Sequence, residues 1–140
     1  MSNKLYDLAV NKILKNELAW KSGEVYRAYL LDLDAGTGYA PDFAADEFLA
    51  DIPSDCLVDY VELIPATPAG RVCNAPNVSF LSALAGDPCE AIVIVKWETT
   101  AADSPLVAYV DTASSGIPIT PDGNRIDVTW DTGAEKIFKL

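Results

Sequence analysis

The chain has 140 residues, half of them apolar, and its 21 acidic residues outnumber its 10 basic residues to give a net charge of −11. This length predicts one domain with a substantial hydrophobic core. The composition excludes disordered and collagen-like proteins. Because so acidic a chain repels phosphate backbones, no nucleic-acid partner is expected.

The longest apolar run, residues 91–95, is strand-sized and far shorter than the ~20 residues that a membrane helix needs. No membrane partner is therefore expected. Residues 1–15 mix charged and apolar side chains without the continuous apolar segment of a secretory signal, so the chain is expected to stay where it is made. Histidine is absent, which removes most nucleophilic and proton-shuttling enzyme chemistries and the usual histidine metal sites.

Charge is unevenly distributed along the chain. Residues 1–27 hold five basic and three acidic residues, net +2, whereas the other 113 residues hold five basic and 18 acidic residues, net −13. Two interpretations stay open. The acidic residues can form a solvated surface that keeps the protein soluble. Alternatively, an acidic body and a mildly basic N-terminal arm each match a different surface of a partner.

The cysteines are three in number, Cys56, Cys73 and Cys89, and no C-x-x-C spacing occurs. This argues against a zinc knuckle or a thioredoxin-like redox pair. An odd count without a secretory signal is typical of a reducing cytosol. We therefore predict buried, free thiols that pack as small apolar groups.

The N-terminal segment has a helical pattern, with Leu5, Leu8, Ala9 and Ile13 on one face and lysines mostly on the other. The predicted organisation is a helix or arm over residues 1–21 followed by one β-sandwich domain over residues 22–140. The arm either contacts a partner or covers the open end of its own sandwich. The candidate partner-interface residues are Lys4, Leu5, Leu8, Lys12, Lys15 and Trp20.

From residue 24 onward the apolar pattern favours strands. The predicted strands cover residues 25–33, 56–64, 71–73, 78–81, 90–98, 106–111, 117–120, 125–130 and 136–140. Turns are predicted at residues 114–116 and 121–124, and one short helix near 43–50, capped by Asp42. The predicted fold is all-β, a jelly-roll-like antiparallel sandwich. Its core is expected to contain Ile92, Val93, Ile94, Val95, Val128 and Trp130.

Two patterns in the sequence are candidates for a ligand-binding site. Asp32 and Asp34 resemble the start of a calcium loop, but an EF-hand frame from Asp32 puts Thr37 at the glycine position and Phe43 at the bidentate acid position. A polar turn is therefore predicted there. Aromatic residues on the strands are expected in the core, with a carbohydrate-binding platform as the alternative. These are Tyr26, Tyr29, Trp97, Tyr109 and Trp130.

Five segments form a spaced series that resembles a known family. They are EFLADIP (47–53), EAIVIVK (90–96), LVAYVD (106–111), GIPITPDG (116–123) and VTWDTGAEKIFKL (128–140). With them, most of residues 43–140 resembles the capsid cement, or decoration, proteins of tailed bacteriophages. The closing WDxGAxKIFKL run is the most specific part.

The resemblance implies a jelly-roll homodimer on the outside of an icosahedral head, where it bridges copies of a major capsid protein. It implies no catalytic residues, no cofactor and no metal. Assembly in the host bacterial cytoplasm and a final location on the virion exterior follow from it. The alternatives are a tail or head–tail component and a carbohydrate-binding jelly-roll module that uses Trp97 or Trp130.

Overall fold

The computed structural model describes residues 3–111, 113–130 and 137–139, and within them the chain forms one α-helix and ten strands. In chain order these are β1 (Lys4–Leu5), α1 (Asp7–Leu14), β2 (Tyr26–Leu31), β3 (Leu57–Leu63), β4 (Val72–Cys73), β5 (Val78–Phe80), β6 (Ala91–Lys96), β7 (Leu106–Val110), β8 (Ala113–Ser115), β9 (Ile126–Trp130) and β10 (Phe138–Lys139). Short 3-10 helices cover Leu49–Asp51, Ser54–Cys56 and Ala101–Asp103. The prediction of an all-β antiparallel sandwich is confirmed.

The main sheet has five strands in the order β1-β7-β6-β2-β3, and every pairing in it is antiparallel. Strand β6 lies at its centre, as a segment that is apolar on both faces should. Ile92 and Ile94 of β6 face Leu30 and Ala28 of β2. A three-stranded sheet, β5-β9-β8, and the β4–β10 pair complete the sandwich.

The two faces of the main sheet bury different clusters. The inner face packs on the three-stranded sheet, and its cluster includes Tyr26, Leu30, Ile92, Ile94, Phe80, Val128 and Trp130. The outer face is covered by residues from the N-terminal segment and the loop before β3, and its cluster includes Tyr29, Val93, Val95, Tyr6, Leu49, Ile52 and Cys56. All six residues predicted for the core are buried, so that prediction is confirmed.

The helix predicted near residues 43–50 is wrong. Asp42 does cap a turn there, since its Oδ1 accepts the amide N–H groups of Ala44 and Ala45, each at 3.1 Å. The helix does not continue, because the Asp51 carboxylate accepts the amide N–H groups of Glu47 and Phe48 at 2.8 and 2.9 Å, and the Leu49 amide donates to the Ser104 carbonyl at 2.9 Å. The segment then pairs with the strand region near residue 105, and only the 3-10 helix Leu49–Asp51 follows.

Two further predictions differ near residue 115. Residues 114 and 115 of the turn expected at 114–116 belong to strand β8, which pairs with β9, and the bend is confined to Gly116, whose φ is 102°. The strand expected at 117–120 reduces to one bridge, in which Ile119 and Cys89 exchange backbone hydrogen bonds of 3.0 and 2.7 Å. Residues 136 and 140 of the last predicted strand lie outside the described residues, and its centre is β10. Within the described ranges, no helix is long and apolar enough to cross a membrane.

Candidate functional site

The N-terminal segment wraps the β7 edge of the main sheet. Lys4 and Leu5 pair with β7, and the Tyr6 amide donates to the Val107 carbonyl at 3.0 Å. Tyr6 is buried in the outer cluster, whereas Leu5 and Ile13 pack against the inner one. One short segment therefore covers both sides of the edge of its own sandwich.

The six residues predicted for a partner interface fall into three groups. Trp20 is buried, Leu5, Leu8 and Lys12 are half-buried, and Lys4 and Lys15 are exposed. Lys12 is held within the chain by an ion pair of 2.9 Å to Glu47. Trp20 packs edge-on against Tyr26 and Phe138, at ring-centre distances of 4.7 and 5.0 Å. Lys4 and Lys15 are thus the exposed members of the predicted set, and the Lys4 ammonium lies over the Phe43 ring at 4.4 Å.

An N-terminal surface remains open to solvent, and we define it by Lys4, Leu14, Lys15 and Lys21. All four residues are exposed, and Leu14, at the end of α1, is 79% exposed. Lys15 adjoins Leu14 in the chain, and residues 1–27 carry a net charge of +2, whereas the other 113 residues carry −13. A basic surface with an exposed leucine is complementary to an acidic surface that has apolar side chains.

A second open surface lies at the opposite edge of the main sheet, at β3. We define the β3-edge surface by Tyr60, Ile64, Leu81 and Leu84, which are 49%, 68%, 73% and 81% exposed. The Ser82 amide donates to Asp59 Oδ2 at 2.9 Å, which places the segment after β5 beside β3. Tyr60 packs on Tyr29 of the outer cluster at a ring-centre distance of 5.3 Å, whereas Asp59, which holds the leucine segment, faces the other side of the strand. Exposed large apolar side chains on the two sides of a sheet edge are typical of protein contact sites.

Sequence reasoning missed the β3-edge surface. Its local signal is the pair of leucines at 81 and 84, at and after the end of the predicted strand 78–81. That these leucines lie at the β3 edge follows from the sheet order and from the bond between Ser82 and Asp59. The surface could therefore be recognised only after the strands were arranged.

The loop after β2 brings three carboxylates together. Asp32, Asp34 and Glu90 each offer an oxygen within 4.8 Å of the others, a spacing that could hold a cation. The fold already uses two of these groups. Glu90 Oε2 accepts the Leu33 amide at 3.0 Å, and Asp32 Oδ1 accepts the Asp34 amide at 3.0 Å. These bonds fasten the loop to the start of β6, which agrees with the predicted polar turn.

The five aromatic residues of the alternative carbohydrate-binding platform do not share an open surface. Tyr26, Tyr29, Tyr109 and Trp130 are buried in the two clusters, as the core interpretation predicts. Trp97 is half-buried, and the Arg27 guanidinium lies over its ring at 3.8 Å and over the Tyr60 ring at 4.3 Å. Arg27 therefore occupies the ring face that a sugar would need.

A polar pocket of about 470 Å³ lies between the segment after α1 and the end of β6. Its central cation, Lys96, pairs with Glu24 at 3.3 Å and with Glu98 at 2.7 Å. Desolvation lowers the pKa of Lys96, but its hydrogen bonds to Glu98 and Glu24 outweigh this and raise the pKa above its ordinary value. The lysine stays charged and is already paired within the chain.

The three cysteines are free and buried, as predicted for the packing of these side chains. Burial raises the pKa of Cys73 to about 11 and that of Cys89 to about 12. It also raises the pKa of Cys56, with a further contribution from the charge of Asp32. Protonated, enclosed thiols are poor nucleophiles and poor metal ligands.

Comparison of the chain with protein-family models, curated proteins and solved structures finds no match.

Proposed function

We propose that this chain is a non-enzymatic capsid cement protein of a tailed bacteriophage. It binds as a homodimer to the outside of the icosahedral head, bridges neighbouring copies of the major capsid protein, and is assembled in the host bacterial cytoplasm. The sequence resemblance of residues 43–140 motivates the proposal. No cofactor or metal is part of it.

The observation that carries the proposal is the position of the two open surfaces. A protein that bridges two neighbours needs two separate contact sites. Lys4 of the N-terminal surface lies in β1 and Tyr60 of the β3-edge surface lies in β3, the two edge strands at opposite ends of the sheet order β1-β7-β6-β2-β3. The burial of apolar side chains at such sites supplies binding energy without any chemical step.

The test measures how fully empty heads are decorated. Heads assembled from the major capsid protein of the same phage are mixed with the purified chain, pelleted and imaged by cryo-EM. A Lys4→Glu/Lys15→Glu variant changes the N-terminal surface, and a Leu81→Asp/Leu84→Asp variant changes the β3-edge surface. Each is expected to lower occupancy, because it opposes the charge or the apolar character of one contact.

A matched control changes an exposed residue outside both sets. Ala102→Asp, in the 3-10 helix before β7, repeats the introduction of an acid. It is expected to decorate heads fully. The Lys4→Glu/Lys15→Glu defect should shrink at high salt, since exposed charges are screened over ~8–10 Å near physiological ionic strength.

Three results would contradict the proposal. Wild-type chain that leaves heads bare, or that labels purified tails instead, removes the cement function. Full decoration by both surface variants shows that the bridging contacts lie elsewhere. Sedimentation of the free chain as a monomer at all concentrations contradicts the homodimer.

A further inference from the structure

One end of the outer face of the main sheet carries exposed apolar side chains beside two charges. Tyr29 of β2 packs in the outer cluster, and side chains two residues apart along a strand share a face, so Arg27 lies on the outer face as well. In the register of β2 with β3, Tyr60 is opposite Tyr29 and Glu62 is opposite Arg27. The residues two positions beyond on each chain segment follow the same alternation. We define the outer-edge patch by Val25, Arg27, Tyr60, Glu62 and Ile64, of which all but the half-buried Arg27 are exposed.

The Arg27 guanidinium is held in place within this patch. It lies 3.8 Å from the centre of the Trp97 ring and 4.3 Å from the centre of the Tyr60 ring, and its Nη1 donates to the Tyr29 hydroxyl at 3.2 Å. Nε is enclosed, whereas Nη2 is not enclosed and has no hydrogen-bond partner among the described residues. Because the side chain is already ordered, a carboxylate that reaches Nη2 binds with little further loss of rotamer freedom.

The patch holds one cation and one anion that are both unpaired. Among the described residues neither Arg27 nor Glu62 forms an ion pair, although they lie opposite each other on neighbouring strands. A two-fold interface brings the same patch of both subunits together, so the patch must be complementary to itself. One unpaired cation beside one unpaired anion meets this requirement, since each can face the opposite charge of a second copy.

We propose that two copies of this chain dimerise through the outer-edge patch, with Arg27 of each copy paired to Glu62 of the other. Val25, Tyr60 and Ile64 are buried around the two ion pairs and supply the apolar part of the contact. Tyrosine and arginine are among the residue types that dominate the binding energy of interfaces. The inference rests on the homodimer of the proposed function and assigns the surface that forms it. Leu81 and Leu84, held by Asp59 on the other side of β3, remain open for the head contact.

The test is a charge exchange followed by sedimentation velocity on the full chain, from about 1 to 100 µM. Arg27→Glu and Glu62→Arg each place like charges at both ion pairs, and each is expected to weaken the dimer at least about tenfold. An equimolar mixture of the two variants places opposite charges at both pairs again. The mixture is therefore expected to form a heterodimer at concentrations where each variant alone is monomeric.

Two further variants keep the test independent of the fold. Arg27→Glu removes the guanidinium from between the two rings, so its thermal midpoint verifies folding. Ile64→Asp leaves Arg27 and its ring contacts in place, and should weaken the dimer because it puts an acid among the buried apolar side chains. The matched control, Leu81→Asp/Leu84→Asp, changes exposed side chains on the other side of β3 and should dimerise as the wild type does.

Three results would overturn the assignment. A wild-type dimer that survives both Glu62→Arg and Ile64→Asp uses another surface, and this result leaves the homodimer itself in place. Folded Arg27→Glu and Glu62→Arg variants that stay monomeric when mixed show that the two charges do not meet across the interface. Wild-type chain that is monomeric at all concentrations removes both the assignment and the homodimer. A failure to decorate heads by a chain that passes the charge exchange counts against the cement function alone.

Discussion

The phenol oxygens of Tyr6 and Tyr39 lie 2.8 Å apart, which joins the N-terminal segment to the loop that covers the outer face of the main sheet. Tyr39 also donates its only proton to Asp46 Oδ2 at 2.8 Å. Tyr6 must therefore donate to the Tyr39 oxygen. Burial is the largest cause that raises the pKa of both phenols, so the chain of hydrogen bonds stays protonated at neutral pH.

This order of donors predicts unequal effects for two similar substitutions. Tyr39→Phe leaves the fully buried Tyr6 hydroxyl without an acceptor and should cost about 1–3 kcal/mol of unfolding free energy. Tyr6→Phe leaves Tyr39 bonded to Asp46 and should cost only about 0.5–1.5 kcal/mol. Urea unfolding of the two single variants and the double variant measures both values and their coupling. A larger loss for Tyr6→Phe would mean that the proton runs the other way.

The packing of the N-terminal segment predicts what its removal does. Tyr6, Ala9, Leu18 and Trp20 are all buried, so deletion of residues 2–21 exposes both core clusters at the β7 edge. The truncated chain is expected to unfold or aggregate, seen as loss of a cooperative thermal transition and of near-UV circular dichroism. The Lys4→Glu/Lys15→Glu variant should keep its stability within about 0.5 kcal/mol. A folded, cooperative truncated domain would show instead that the segment is a detachable arm.

The core at β6 gives a third prediction. Ile94 is fully buried between β2 and β7, so Ile94→Ala should cost about 2–5 kcal/mol. Leu84, which is 81% exposed, is the matched control, and Leu84→Ala should change the unfolding free energy by less than about 0.5 kcal/mol. Denaturant unfolding measures both. Similar losses for the two variants would mean that β6 is not the centre of the sheet.

Local sequence predicted some elements of the fold correctly and others not. Strand β6 was predictable because residues 91–95 are apolar on both faces, a property of the local sequence alone. The helix near 43–50 was not, because the Asp51 side chain accepts the Glu47 and Phe48 amides, which a helix would use. Propensity does not register this competition between side chain and helix.

The open surfaces show the same limit. Trp20 was predicted at a partner interface, yet it is buried and packs against Phe138 from the far end of the chain. The β3-edge surface depends on which strand lies at an edge, and no local pattern states that. The sequence shows which residues are apolar, whereas the arrangement of the sheets decides which of these side chains are buried.

Thiol labelling gives a fourth prediction. Cys56, Cys73 and Cys89 are buried and free, so a folded sample at neutral pH should take up almost no iodoacetamide. After denaturation in the same buffer, mass spectrometry should find three modified cysteines. The reaction is run on protein kept reduced, with labelling stopped before unfolding. Fewer than three modifications after denaturation would reveal a cross-link, and rapid labelling of the folded chain would contradict the burial.

The raised pKa values of the same thiols predict alkaline sensitivity. In the folded chain the pKa is about 11 for Cys73 and about 12 for Cys89, against an ordinary value of 9.0. Because the unfolded chain loses these protons first, the thiols contribute their full stability below pH ~9 and lose it as the pH rises toward ~12. The unfolding free energy should therefore fall in this window, with a limiting slope of about 1.4 kcal/mol per pH unit for each proton released.

Urea midpoints measured at half-unit steps from about pH 8 to pH 11, under reducing conditions, check this fall. The thiols do not titrate alone, since burial also raises the pKa of Tyr109 to about 12. A Cys73→Ala/Cys89→Ala variant separates the two kinds of group. Its stability at pH ~8 is lower or equal, but its decline between pH ~9 and ~11 should be shallower than that of the wild type. A flat wild-type profile over this window, or equal slopes for the two proteins, would show that the buried thiols do not resist ionisation.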